Sequence, residues 1–252
     1  MNNYKLIIQY DGHKYNGWQK QGNTNNTIQS ILEETISKYL SAFETPSLPI
    51  ELQGSGRTDA GVHADGQVAN FKTNLEISMD DFLTKINDTL PKDIRILEVE
   101  KVEIPFHARL SATGKYYSYY IDNRDVASVF KRNYNLRVEA PLNLDAMRMA
   151  ASFLEGEHDF LSFCSKSDLK KSTTRTIYDI KITSNNGIIR ICFHGNGFLY
   201  NMVRILSGTL IEIGLGKMSP GYIIEILAQK DRALAGPTVS GNALFLDKVE
   251  YL

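Results

Sequence analysis

Twice along this chain a strand-like run is followed by an amphipathic helical run and then by further strands, and that recurrence constrains the fold more than any other feature. Residues 5–10 (KLIIQY) read as a strand stopped by Asp11-Gly12. Thr27 caps a helix over residues 27–40, where Ile28, Ile31, Leu32, Ile36 and Leu40 share one face that must bury against a sheet. Strands are expected at 50–54, 66–73 and 93–103, with a helix from Ser78 to Leu90 that Pro91 ends. The second half opens with KYYSYYI at 115–121, aromatic and β-branched as strands are. A helix after Asn143 follows, then two strands joined by Asn185-Asn186-Gly187, the strongest hairpin signal in the chain. Residues 197–213 read as a helix apolar nearly all round, and Ser219-Pro220 starts another over 221–229. The expectation is an α+β protein of two similar subdomains, residues 1–105 and 106–252, with the functional site in a cleft between them.

With 42 % apolar and 23 % charged residues the chain can build a sizeable core. Its formal charge of -1 argues against indiscriminate coating of nucleic acid but leaves room for a local basic surface. Cys164 and Cys192 are the only cysteines, and the first residues carry no secretory pattern, so a reduced, cytoplasmic protein is expected. No apolar run approaches the roughly 20 residues that span a bilayer, and no membrane association is expected.

Chemistry concentrates in GSGRTDAGVHADGQVANF, residues 54–71. A plain turn explains most Asp-Gly-rich loops, since glycine supplies positive φ and aspartate caps backbone amides. Here Arg57 and Asp59 are two apart, so an extended backbone points both one way and Thr58 the other, and the arginine keeps the aspartate ionised. A phosphate cradle lacks its lysine and a following helix. A metal site would have to recruit Asp59, His63 and Asp65 with a single imidazole near, a poor set for zinc. An ionised aspartate acting as nucleophile or general base fits the residues best, with glycines that let a large substrate reach the backbone.

The chain resembles the tRNA pseudouridine synthase A family over nearly its whole length. Besides the 54–71 stretch, that family's signatures occur in order: YDGHKYNGWQKQ at 10–21, TIQSILE at 27–33, LPKDIRI at 90–96, FHARLSATGKYYSYYI at 106–121 and GNGFLYNMVRILSGTL at 195–210. The resemblance implies the pseudouridine synthase fold, with mainly antiparallel mixed sheets in two ferredoxin-like halves. It implies isomerisation of uridines at positions 38, 39 and 40 of the tRNA anticodon stem-loop by a homodimer that needs no cofactor and no metal. By the same motifs, Asp59 is the catalytic carboxylate, Arg57 helps extrude the target nucleotide, Tyr117 stacks on its base and Arg204 pairs with Asp59. Leu244 contacts the base, although Ser240 and Ala243 stand near where the family carries a Pro and a Gly.

The residues speak to these roles separately. Arg204 sits among Phe198, Leu199, Met202, Val203, Ile205 and Leu206, where a guanidinium needs a carboxylate, a local carbonyl or solvent. Tyr117 alone reads as a sheet-core tyrosine. Lys166, Lys170, Lys171 and Arg175 form one basic cluster and Lys131, Arg132 and Arg137 a second; either suits phosphates, and either suits a solvated loop. Trp18 and Gln19 read as a core anchor and a turn residue. Two other functions stay open: a tRNA-binding module that modifies nothing, and a related synthase with a different RNA target.

Overall fold

A computed structural model describes residues 1–43, 49–165 and 172–252. The cluster members Lys166, Lys170 and Lys171 lie outside the described residues. The chain forms two compact units, one of Met1–Thr113 with Leu246–Leu252 and one of Gly114–Phe245. The sequence reading cuts the chain once, near residue 105; the packed units divide at Thr113, and the last residues return to the first unit.

Unit 1 contains β1 (Asn2–Tyr10), α1 (Ile28–Leu40), the short β2 (Gln53–Gly54), β3 (His63–Thr73), α2 (Met79–Thr89) and β4 (Ile94–Val102). β1 runs antiparallel to both β3 and β4, with Leu6 opposite Ala69 and Val99. Alternate β1 residues Tyr4, Leu6, Ile8 and Tyr10 are buried, as the two-residue period of a strand requires. Tyr4 stacks on Phe71 and Phe71 on Phe82 of α2, and Tyr39 of α1 meets Phe82 edge-on. The Thr27 hydroxyl caps α1 by accepting from the Ser30 amide. Ser78 stands at the start of α2 without a side-chain cap bond.

The strand expected over 50–54 shrinks to Gln53–Gly54 for a polar reason. The Leu52 amide donates not to a strand but to Glu33 Oε1, at 3.0 Å, and Gln29 Nε2 donates to the same oxygen at 2.9 Å and to the Leu52 carbonyl at 3.2 Å. Two side chains of α1 thus replace a strand ladder on the segment that feeds residues 54–62.

Unit 2 holds β5 (Ala112–Asp122) from Gly114 onward, β6 (Leu136–Arg137), α3 (Leu144–Ser152), β7 (Gly156–Asp159), β8 (Thr174–Asn185), β9 (Ile188–Gly195), α4 (Met202–Gly214) and α5 (Tyr222–Gln229). Its sheet order is β5-β9-β8-β7, antiparallel throughout, with β6 parallel beside β5. Asn186 and Gly187 have φ of 48° and 74°, the left-handed pair a two-residue hairpin needs. Asn143 caps α3 by accepting from the Asp145 and Ala146 amides. The last strand, β10 (Leu244–Tyr251), lies beside β3 in unit 1.

Two helix starts move. α4 begins at Met202 rather than 197 because Asn201 is left-handed, at φ 61°, a conformation asparagine tolerates and a helix does not. α5 begins at Tyr222 with Gly221 at its cap; Ser219 serves through its carbonyl, which accepts from the Tyr222 amide at 3.1 Å. Once begun, α4 is buried on nearly every side, in keeping with its unbroken apolar sequence.

Asp122, at the end of β5, anchors the long connection to β6. Its carboxylate is 4 % exposed and accepts from Arg124 Nε at 2.9 Å, Arg124 Nη2 at 2.6 Å and the Ser128 amide at 3.1 Å. The Arg124 bonds outweigh the opposing effect of burial and hold this carboxyl well below its ordinary value of 3.8. A depressed carboxyl stabilises the fold fully above the ordinary pKa and loses that contribution as pH falls from there toward the depressed value. Asp122→Asn is therefore expected to cost about 1–3 kcal/mol at neutral pH, the penalty for weakening a buried charged network. Urea unfolding at stepped pH should show the gap from wild type narrowing below about pH 4.

Candidate active site

The loop carrying Arg57, Thr58 and Asp59 is held by its backbone. The Trp18 amide donates to the Thr58 carbonyl at 3.0 Å, the Thr58 and Tyr10 hydroxyls bond at 2.8 Å, and the Val62 amide donates to the Asp59 carbonyl at 3.1 Å. Upstream, the Ser55 hydroxyl donates to Gln67 Oε1 at 2.7 Å, and Gln67 Nε2 donates to the Gly56 carbonyl at 3.0 Å. Thr58 is buried, Arg57 is exposed and Asp59 is half-buried. The middle residue faces the core and its neighbours do not, as the two-residue spacing predicts.

Glycine is required where the loop is gripped. A Cβ on Gly17, whose φ is 91°, would stand 2.6 Å from the Thr58 carbonyl oxygen and 3.0 Å from the Asp59 carbonyl carbon. Trp18, 2 % exposed, lies under the loop, and its indole nitrogen is 2.5 Å from where a Cβ on Gly54 would be. Trp18 is the core anchor read from the sequence, and Gln19 bonds Gln29 Oε1 at 2.8 Å. His63 and Asp65, two members of the metal set weighed from the sequence, have different partners. His63 is buried with Nδ1 3.1 Å from the Gly12 amide and 3.0 Å from Asp11, whereas Asp65 is exposed and accepts from Gln9. Among the described residues no group of three His, Cys, Asp or Glu side chains forms a metal site.

In unit 2 a second set of side chains comes together. Tyr117 and Tyr119 occupy the same face of β5; Tyr117 meets Phe198 edge-on at 5.3 Å between ring centroids, and the Tyr119 hydroxyl donates to the Ser240 carbonyl at 2.9 Å. Arg204 Nε donates to the Val239 carbonyl at 2.7 Å and Nη1 to Asn201 Oδ1 at 2.8 Å. Burial pushes the Tyr119 phenol above its ordinary pKa, while the Arg204 charge opposes that rise. A local carbonyl is thus one partner of this guanidinium, and the left-handed Asn201 that delays α4 is another. Leu244, 5 % exposed, follows the short 3-10 turn Gly241–Ala243.

Tyr119, Phe198 and Val239 belong to this set, and sequence reasoning singled out none of them for it. The available signal was glycine. A Cβ on Gly208 would lie 2.0 Å from the Pro237 carbonyl oxygen and one on Gly236 2.7 Å from Thr209 Cα. The Thr209 hydroxyl accepts from the Gly236 amide at 2.9 Å. Backbone lies directly on backbone there, and the carbonyl of Val239 reaches Arg204 as a result. Ser240, one of the two departures from the family pattern, has φ of -56°, within the range a proline ring imposes.

A model of the family described as tRNA pseudouridine synthase matches residues 6–110 and 150–252. A protein of Bacillus sp. strain KSM-64 named tRNA pseudouridine synthase A is 45 % identical over 251 residues, covering 100 % of both chains. The protein of that name from Thermoanaerobacter sp. strain X514 is 43 % identical, and tRNA pseudouridine synthase A 2 of Clostridium perfringens strain 13 is 44 % identical, each again over 100 % of both chains. A crystal structure of a Cbf5-Nop10-Gar1 complex aligns at a TM-score of 0.30 and 11 % identity over 83 % of this chain and 53 % of that one, too distant to argue from.

Two substitutions test the backbone contacts of unit 2. Gly208→Ala places a methyl against a carbonyl that cannot step aside, and is expected to lower unfolding free energy by about 1–3 kcal/mol in urea titration. Ser240→Pro meets a φ already suited to the ring, and is expected to raise the unfolding free energy by about 0.4–1 kcal/mol.

Proposed function

The chain belongs to the tRNA pseudouridine synthase family, and from that premise we propose that it converts uridine to pseudouridine at positions 38, 39 and 40 of the anticodon stem-loop, with Asp59 as the essential carboxylate. The observation that supports this most is the loop itself. Thr58 is clamped by both its carbonyl and its hydroxyl, so the backbone on either side of it is held and Asp59 is carried on a preorganised turn.

The reaction breaks the N1–C1′ glycosidic bond, turns the uracil, and forms a C5–C1′ bond. The C5 proton is lost and N1 gains one, so atoms and electrons balance within the nucleotide. One carboxylate can serve throughout, by attack at C1′, by stabilising positive charge there, or by taking a sugar proton to give a glycal. A uridine in a structured stem must first leave the stack, which costs a few kcal/mol recovered by stacking and polar contacts. On this reading Arg57, exposed on the loop, helps extrude the nucleotide and Tyr117 stacks on its base. Leu244 contacts the base, and Arg204 pairs with the aspartate. Tyr117 is 7 % exposed with Phe198 against its edge, so stacking on its ring face requires neighbouring side chains to move aside. Among the described residues no helix is long and apolar enough to cross a membrane. Cytoplasmic location and a homodimer complete the proposal, and both rest on the family resemblance.

The test uses an unmodified tRNA transcript, with pseudouridine derivatised chemically and mapped by mass spectrometry to single nucleotides. Wild type is expected to modify positions 38 to 40. Asp59→Ala and Asp59→Asn are expected to form no pseudouridine while keeping the wild-type circular dichroism spectrum and unfolding midpoint. Full turnover by Asp59→Ala would refute the assignment. Binding without any modification by wild type would identify a tRNA-binding module instead, and modification elsewhere a synthase with a different target.

A further inference from the structure

The connection between β5 and β6 presents an unusual tip. Val126, Val129 and Phe130 are 82 %, 64 % and 86 % exposed, and Lys131 and Arg132, which follow directly, are exposed as well. Three apolar side chains in water on one short loop are unfavourable unless something covers them. The loop is built to hold them there. Asp122 gathers Arg124 and the Ser128 amide at its base, and Arg137 donates to the carbonyls of Asp122, Arg124 and Asp125. The Lys131 amide donates to the Ser128 carbonyl and the Tyr134 amide to the Lys131 carbonyl, which closes one turn around Phe130 and a second directly after it.

That base also sorts the cations. Arg124 is paired with Asp122 and Arg137 is turned onto carbonyls, so the cluster read from the sequence as Lys131, Arg132 and Arg137 presents only its first two members at the tip. Arg132 touches the Val129 carbonyl through one nitrogen of its fork. On a chain of net charge -1, two adjacent cations beside an exposed aromatic ring match a polyanion whose monomers carry flat apolar faces. Protein partners satisfy the apolar part of that description, and a nucleic acid satisfies both parts.

We propose that this tip is a second RNA-contacting element for the tRNA substrate, with Phe130 stacking on an unpaired base and Lys131 and Arg132 on the flanking phosphates. The proposal rests on the tRNA reading above and adds a platform formed within unit 2, distinct from the residues that act on the target uridine. Ring against base supplies affinity without reading sequence, and the cations make that affinity dependent on salt.

The test is steady-state pseudouridine formation and salt-titrated binding of the full chain with the same unmodified transcript. Phe130→Ala is expected to raise KM about tenfold with kcat unchanged, the usual loss for one stacked base. Phe130→Trp should restore KM and Phe130→Leu should not, since leucine keeps the apolar bulk without a stacking face. Lys131→Ala combined with Arg132→Ala should reduce the slope of log affinity against log salt by about 2. An active wild type with Phe130→Ala indistinguishable from it overturns the proposal alone, as does Phe130→Leu matching wild type. Sedimentation of the same samples guards the remaining route: a raised KM that accompanies dissociation of an oligomer assigns the tip to a second copy of this chain and overturns the RNA assignment. A wild type that neither binds nor modifies the transcript overturns the tRNA reading itself and this proposal with it.

Discussion

The carbonyl of Thr58 lies where no side chain on residue 17 could stand, and much of unit 1 follows from that close approach. Gly17, Trp18 and the start of α1 form one continuous brace: the Gly17 carbonyl accepts from Ile28, the Trp18 carbonyl accepts from Gln29, and the Trp18 amide reaches Thr58. Tyr10, at the end of β1, holds the Thr58 hydroxyl from another direction. A strand end, a helix start and a buried indole therefore converge on one residue. That residue is not the one expected to react but the one before it. Rigid support for a functional side chain is most effective when its neighbour's backbone is satisfied and cannot drift.

Unit 2 meets its need for precision by the same means. Gly208 and Gly236 let an irregular segment rest on α4 without side chains between them, and Val239 and Ser240 then offer carbonyls to Arg204 and Tyr119. Tyr117 gains its place from strand geometry alone, two residues from Tyr119 on one face. An arginine, a phenol and two carbonyls are thereby held in a helix-rich core that would otherwise accept only apolar groups.

What the sequence made legible was local. Thr27 and Asn143 cap the helices they precede, Asn186-Gly187 turns the hairpin, and the outward-inward alternation of Arg57, Thr58 and Asp59 follows from spacing alone. What stayed hidden depended on partners far along the chain. Nothing near Leu52 announces that Glu33 takes its amide and shortens the strand. Nothing near residue 197 announces that Asn201 turns left-handed, with its side-chain nitrogen on Ser165, 36 positions earlier, and holds back the helix. The choice between carboxylate, carbonyl and solvent for Arg204 was open for the same reason, since the Val239 carbonyl lies 35 positions away and reaches it only because two glycines allow the approach. The motifs themselves identified the family, and many contacts that hold their residues run from one motif to another, as Tyr10 and Trp18 hold Thr58, which no single motif displays.

The return of Leu246–Leu252 to unit 1 has a consequence for biosynthesis. β3 is paired by β1 on one side and on the other meets the short β2 and takes β10, so part of that second edge stays open until residues 244–251 have been made. Unit 2, by contrast, has all its residues once Phe245 has been added. The later part of the chain can therefore mature first, while the earlier part waits with part of one β3 edge unpaired. Synthesis of residues 246–252, rather than emergence of the first hundred or so residues, is the event that completes unit 1.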